Sequence, residues 1–253
     1  MSNHATWGRY SCLPCYLMSL AVLQIIMAAP LTIRAAEPEL VARETRTYDI
    51  FVDHKKSGQS TFKLARYGDG TEIVSTDAKL TVSWTVFTYV YEFHGEERWH
   101  RGRLDALSTR AVDGGKHLSL AATRTERGLT IRKQSGSPAA IPEVQATTNY
   151  WSQPAADPAG SAVKILDADN GKVYDALFQR VGYEDIPVAD QRFSCSRCRI
   201  SGGAEVELWF DSQGLLIRQI GKEDGHHTEL RLTSIQQPIA ARATRLPWMA
   251  ASR

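Results

Sequence analysis

The run Ala78-Lys-Leu80-Thr-Val82-Ser-Trp84-Thr-Val86 continues directly into Phe87-Thr-Tyr89-Val-Tyr91-Glu-Phe93. In the first part the apolar side chains hold the even positions, and in the second the odd ones. A period of two marks a strand with one buried face, because successive side chains leave a strand on opposite sides. The change of parity therefore demands a bulge or a turn near Phe87, or else both faces would be apolar there. A curved sheet whose concave face holds something oily also fits the second run. Trp84, Phe87, Tyr89, Tyr91 and Phe93 are thus the candidate ligand-binding row.

The same period extends outward from this stretch. Tyr48, Ile50 and Val52 alternate before a hairpin connection at Asp53-His54-Lys55-Lys56-Ser57-Gly58, and Phe62 and Leu64 follow on the return strand. Turns are signalled at Gly68-Asp69-Gly70, Arg101-Gly102, Asp113-Gly114-Gly115 and Arg127-Gly128. Residues 135–160 break the rhythm with Pro138, Pro142, Pro154 and Pro158. They read as a long crossing connection with at most a short helix around Tyr150-Trp151. Strands resume at Val163–Leu166, Val173–Val181, Arg192–Ile200, Glu205–Asp211, Leu215–Gly221 and Thr228–Ile235. The predicted fold is all-β: one domain over residues 37–237, built as a large curved antiparallel sheet or open barrel that the Pro-rich segment crosses or caps. Residues 238–253 read as a flexible tail.

Residues 1–36 carry Arg9 and Arg34, no acid, an apolar run between them, and Ala35-Ala36 after it. This is the order of a cleaved secretory signal, with a retained anchor as the rival, and it places the protein in the periplasm or outside the cell. Without those two arginines the 30 basic side chains become 28, equal to the 28 acidic ones. Such a balance excludes a general phosphate-binding surface, so nucleic acid is not an expected partner. No transmembrane domain is expected once the signal is gone, though peripheral association with the envelope is.

Cys195-Ser-Arg-Cys198 admits four readings: a disulfide, unpaired thiols, half of a zinc site, or redox chemistry. A disulfide suits an oxidising compartment but needs a local turn at Ser196-Arg197, because residues three apart on a strand stand about 10 Å apart. No metal is expected, since zinc would need two more placed ligands. Asp167-Ala-Asp169-Asn170-Gly171 resembles a calcium loop only superficially. Phe178 stands where the bidentate glutamate belongs, and Asn170-Gly171 reads as a two-residue hairpin turn. Glu96-Glu97-Arg98-Trp99-His100 offers acids and a base, yet adjacent glutamates on a strand face opposite ways. A half-exposed strand with Trp99 buried is expected. No nucleophile elbow, zinc-protease helix or phosphate loop is present, so no cofactor is expected, and enzymatic activity stays open as the less favoured reading.

Three sets of motifs resemble an exported bacterial family described as domain of unknown function 6134. The first is Tyr48-Asp-Ile-Phe-Val-Asp53 with Gly58. The second is Glu97-Arg-Trp99 with Gly102-Arg-Leu104 and Asp113-Gly-Gly115. The third joins Leu166-Asp167, Gly171, Leu208-Trp-Phe-Asp211, Gly214-Leu215 and Asp224-Gly225. The C-terminal half is also similar to periplasmic proteins of unknown function whose curled sheets resemble lipoprotein carriers. The resemblance implies an envelope protein and assigns no catalytic residue. Three functions follow as expectations: a binder of an apolar small molecule or lipid in the sheet's concavity, a structural or assembly-associated protein with a filled core, and a hydrolase using scattered residues such as Glu97, His100 and His226.

Overall fold

Tyr91, Phe93, Gly95, Glu97 and Trp99 lie on one face of a single strand, and Glu92, His94, Glu96 and Arg98 on the other. This strand is β4 (Thr88–His100) of the computed structural model, which describes residues 38–83, 85–157, 159–203, 205–223 and 225–237. The expected signal segment, Trp84 and the expected tail 238–253 fall outside the described residues. Preceding β4 are β1 (Leu40–Val52), β2 (Lys55–Tyr67) and β3 (Thr71–Ser83). After it come β5 (Arg103–Asp113), β6 (Lys116–Thr125), β7 (Gly128–Lys133) and the short β8 (Ala139–Ile141) and β9 (Ala146–Thr147). The C-terminal half supplies β10 (Ser161–Leu166), β11 (Val173–Val188), β12 (Gln191–Gly202), β13 (Val206–Phe210), β14 (Leu216–Glu223) and β15 (His226–Gln236).

All fifteen strands join one sheet in the order β8-β7-β6-β5-β4-β3-β2-β1-β15-β14-β13-β12-β11-β10-β9. Neighbours are antiparallel except β9 and β10, which run parallel, so the sheet is mixed. It is a meander whose first and last strands meet in the middle, and it does not close. No helix occurs among the described residues.

The expected all-β class, the curved sheet and the crossing Pro-rich segment are all present. The parity change is resolved by a turn: Ser83 pairs with Thr88, and residues 85–87 form the hairpin tip. Three local expectations are corrected. The first hairpin turns on Asp53 and His54 alone, both at positive φ, and β2 already begins at Lys55. Gly58 is instead a close-approach residue, since a Cβ there would stand 2.1 Å from the Lys79 carbonyl oxygen. Tyr150 adopts φ 45°, a left-handed conformation that no helix continues through, so the short helix is replaced by a turn.

One buried cluster contains side chains from nearly every strand, including Tyr48, Phe62, Trp99, Leu120, Trp151, Phe178, Ile200 and Phe210. The β10–β11 turn touches β6 and β7, near the opposite end of the strand order. A Cβ on Gly171 would stand 2.8 Å from Leu120 Cδ1 and 3.3 Å from Ile131 Cδ1. The sheet must therefore curl until its two ends face each other.

Candidate functional site

Tyr89, Tyr91 and Phe93 of the aromatic row share the inner parity of β4, and the chain itself covers Tyr91 and Phe93. Phe93 is 6% exposed and packs against Ala111 and Ala168. Ala168 lies in the β10–β11 turn, where its carbonyl accepts from Thr109 Oγ1 at 2.6 Å and its amide donates to Thr148 Oγ1 at 3.0 Å. The next residue, Asp169, accepts the Tyr91 hydroxyl at 3.0 and 3.1 Å on its two oxygens. Tyr89 donates to Asp113 at 2.7 Å. Phe87 sits on the hairpin tip, 57% exposed, and lines no cavity. Phe93 and Tyr91 therefore pack against the β10–β11 turn.

That turn also departs from the two-residue form expected of Asn170-Gly171. Asp167 N donates to the Lys172 carbonyl, and Gly171 N to the Asp167 carbonyl, which leaves four residues at the tip. The Asp167 carboxylate holds the tip by accepting from the amides of Asp169 and Asn170 and from the Tyr174 hydroxyl. Inserting the tip into the concavity needs this wider loop.

Glu97 ties a second part of the crossing segment to the sheet. Its side chain is fully buried. One carboxylate oxygen accepts from Trp99 Nε1 at 2.7 Å and Trp151 Nε1 at 3.1 Å; the other accepts from Thr147 Oγ1 at 2.8 Å and Asn149 Nδ2 at 2.5 Å. Burial pushes its pKa up, and the four hydrogen bonds pull against that shift. Beyond this hub the Trp151 carbonyl accepts from Leu216 N, and Gln153 N donates to the Gly214 carbonyl. Residues 144–153 thus form a strap from the β4 face to the β13–β14 turn. The sequence shows Glu97 and Trp99 at one parity, which is the signal that both point inward.

Glu97, His100 and His226 are not brought together. Glu97 points inward while His100 holds Thr71 Oγ1 at 3.2 Å, and His226 lies at the β14–β15 tip against Asp53 Oδ2 at 2.7 Å. The Cys195–Cys198 disulfide is also not formed: both are free and buried. β12 runs straight through Ser196-Arg197 without the turn that a bridge requires, so the two thiols leave opposite faces. Burial pushes the Cys195 thiol up to about 11, away from reactivity at neutral pH. Among the described residues, no group of three or more His, Cys, Asp or Glu side chains could hold a metal ion.

An open cleft of about 790 Å³ is lined by residues of β2 to β6 and by Gln134, with polar side chains such as Asp77, Lys79, Glu92, His94, Arg110 and His117 beside the apolar Ala78, Phe93, Ala111 and Leu118. Its ion pairs are Lys79 with Glu92, and Asp77 with His94 at 2.6 Å and Lys63 at 3.3 Å. Of the aromatic row, Phe93 alone contributes to this lining.

Burial raises the Asp169 pKa to about 6, with Asp167, Glu223 and Asp113 adding like charge and the Tyr91 hydrogen bond opposing. A carboxyl raised in the folded state contributes stability that is full below its unfolded value and is lost as pH rises through about 6. Asp169→Asn keeps an acceptor for Tyr91 and removes that loss. Urea unfolding at pH 5 and pH 8 should show the variant gaining about 1 kcal/mol over wild type at the higher pH. Equal pH dependence in the two proteins would refute the assignment.

A curled, unclosed β-sheet with its concavity occupied by its own chain defines a beta-barrel-like protein. A solved structure of this class matches: the beta-barrel-like protein of domain of unknown function DUF1849 from Brucella abortus, with a TM-score of 0.58 and 8% identity, covering 78% of this chain and 98% of that one. At such identity the likeness is one of fold. No curated protein matches. The chain belongs to the family described as domain of unknown function DUF6134, whose model matches residues 48–233.

Proposed function

We propose that this protein is exported to the cell envelope and serves there as a structural or assembly-associated component, acting through its outer surface. The observation that carries this reading is the β10–β11 turn seated on Phe93 and Tyr91, where an apolar ligand would otherwise sit. Export is supported by the apolar run between Arg9 and Arg34, with Ala35 and Ala36 behind it. The rival is a lipid binder in which the turn and strap yield the concavity to the ligand.

Phe93→Ala separates the two. A close-packed core residue should cost about 3–4 kcal/mol in denaturant unfolding. Native mass spectrometry of protein taken from the envelope fraction should show a chain starting near residue 36 or 37 with no retained lipid. A loss below about 1 kcal/mol together with a co-purifying lipid would establish the rival.

A further inference from the structure

β11 is the longest strand, and only its first part has a neighbour on each side. β10 pairs with Val173 to Phe178, whereas β12 follows β11 from Ala176 to Val188. From Gln179 onward no strand lies beyond β11 among the described residues, and no backbone hydrogen bond from elsewhere reaches it. The two ends of the strand order are blunt by contrast, with three residues in β8 and two in β9. A long unpaired edge is a template for another strand. This one also carries exposed apolar groups: Val181 is 43% and Tyr183 71% exposed. A Cβ on Gly182 would meet nothing within 4 Å.

We propose that this edge is where a second copy of the chain docks, by antiparallel pairing of β11 with its twin about a two-fold axis that sets Tyr183 opposite its own copy, with the bulge residue Val181 left unpaired. This rests on the reading that the protein acts through its outer surface. Charge selects the occupant. In that register Arg180 of each copy stands opposite Asp185 of the other, and the Asp185 side chain makes no hydrogen bond or ion pair among the described residues. The bulge at Val181 brings Arg180 and Tyr183 to one side, where the guanidinium lies 5.4 Å from the Tyr183 ring centroid. Asp185 shares the parity of Tyr183 and so falls on that side too. Pairing runs from Gln179 to Ile186 and stops at Pro187, which has no N–H to offer. Opposite charges facing each other across strands favour this register, and like charges oppose it.

The test is sedimentation velocity on the full mature chain with two variants. Wild type should dimerise. Asp185→Arg sets arginine against arginine and should weaken the dimer about tenfold or more. Arg180→Asp combined with Asp185→Arg restores opposite pairs and should recover the dimer, which also guards against a variant that merely misfolds. A monomeric wild type at every concentration overturns the proposal and leaves the edge to some other chain. A dimer indifferent to the reversal, or lost and not restored by the swap, overturns it as well. Neither failure touches the filled-sheet reading, because Phe93→Ala is read in the unfolding of a single chain.

Discussion

Glu97→Ala should remove about 4 kcal/mol of folding stability, most of the margin of an ordinary domain. The reason is the number of groups left behind. Trp99, Trp151, Thr147 and Asn149 all aim donors at this carboxylate, and nothing else accepts from those atoms. A buried donor that loses its acceptor costs about 1–3 kcal/mol, and relaxation or entering water recovers part of the total. Glu97→Gln preserves shape but offers a single acceptor oxygen and turns an amide toward donors, so about 2 kcal/mol should be lost. Urea unfolding followed by tryptophan emission reads both variants. Limited proteolysis supplies the local readout: Glu97→Ala should be cut faster between Ile141 and Ser161, because the hub is what fixes Thr147, Asn149 and Trp151 to the sheet. Losses below about 1 kcal/mol for both variants would show that the strap is held by its apolar contacts instead.

The position of this hub was legible in part. Period two along β4 places Glu97 on the face of Phe93 and Trp99, and Glu96 on the other, as observed. What alternation could not supply is the partner set, because Thr147, Asn149 and Trp151 arrive from a segment without any period. The same limit explains the aromatic row. An inward row of aromatic side chains looks identical in sequence whether a lipid or a turn covers it, and the turn comes from Ala168 and Asp169, seventy-five or more positions downstream. β11 shows a different failure. Gly182 and Pro187 read as the end of a strand at Val181, yet a bulge absorbs the first and an edge position tolerates the second. Three turns were legible directly, Gly68-Asp69-Gly70, Arg101-Gly102 and Asp113-Gly114-Gly115, because they depend on local chemistry alone.

Parity also explains a buried charged cluster. The alternation Tyr48, Ile50, Val52 extends backward to Arg46 and Glu44, where no apolar side chain marks it. Both are buried, at 5% and 7% exposure, and β1 carries them into the middle of the sheet. The Arg46 guanidinium donates to the Glu44 carboxylate, to Asp211 Oδ2 at 2.5 Å and to the Leu216 carbonyl at 2.9 Å; the last also accepts the Tyr48 hydroxyl at 2.7 Å. Asp211 in turn accepts the amides of Gln213 and Leu215, which shapes the β13–β14 turn. The cation therefore joins β1 to the turn on which the strap ends.

Arg46→Met should cost about 3–5 kcal/mol, because two buried carboxylates lose the charge that balances them while the methionine refills most of the volume. Neutralising the two carboxylates by substitution isolates the contribution of charge. Glu44→Gln with Asp211→Asn, added to Arg46→Met, should recover at least half of the lost stability, with the asparagine still accepting from the β13–β14 amides. Denaturant unfolding of the single and triple variants at pH 7 decides between a balance of charge and simple packing. If charge is the cause, the triple variant is more stable than Arg46→Met alone. If the guanidinium acts mainly by filling space and bonding the Leu216 carbonyl, removing the acids brings nothing back and the three losses add.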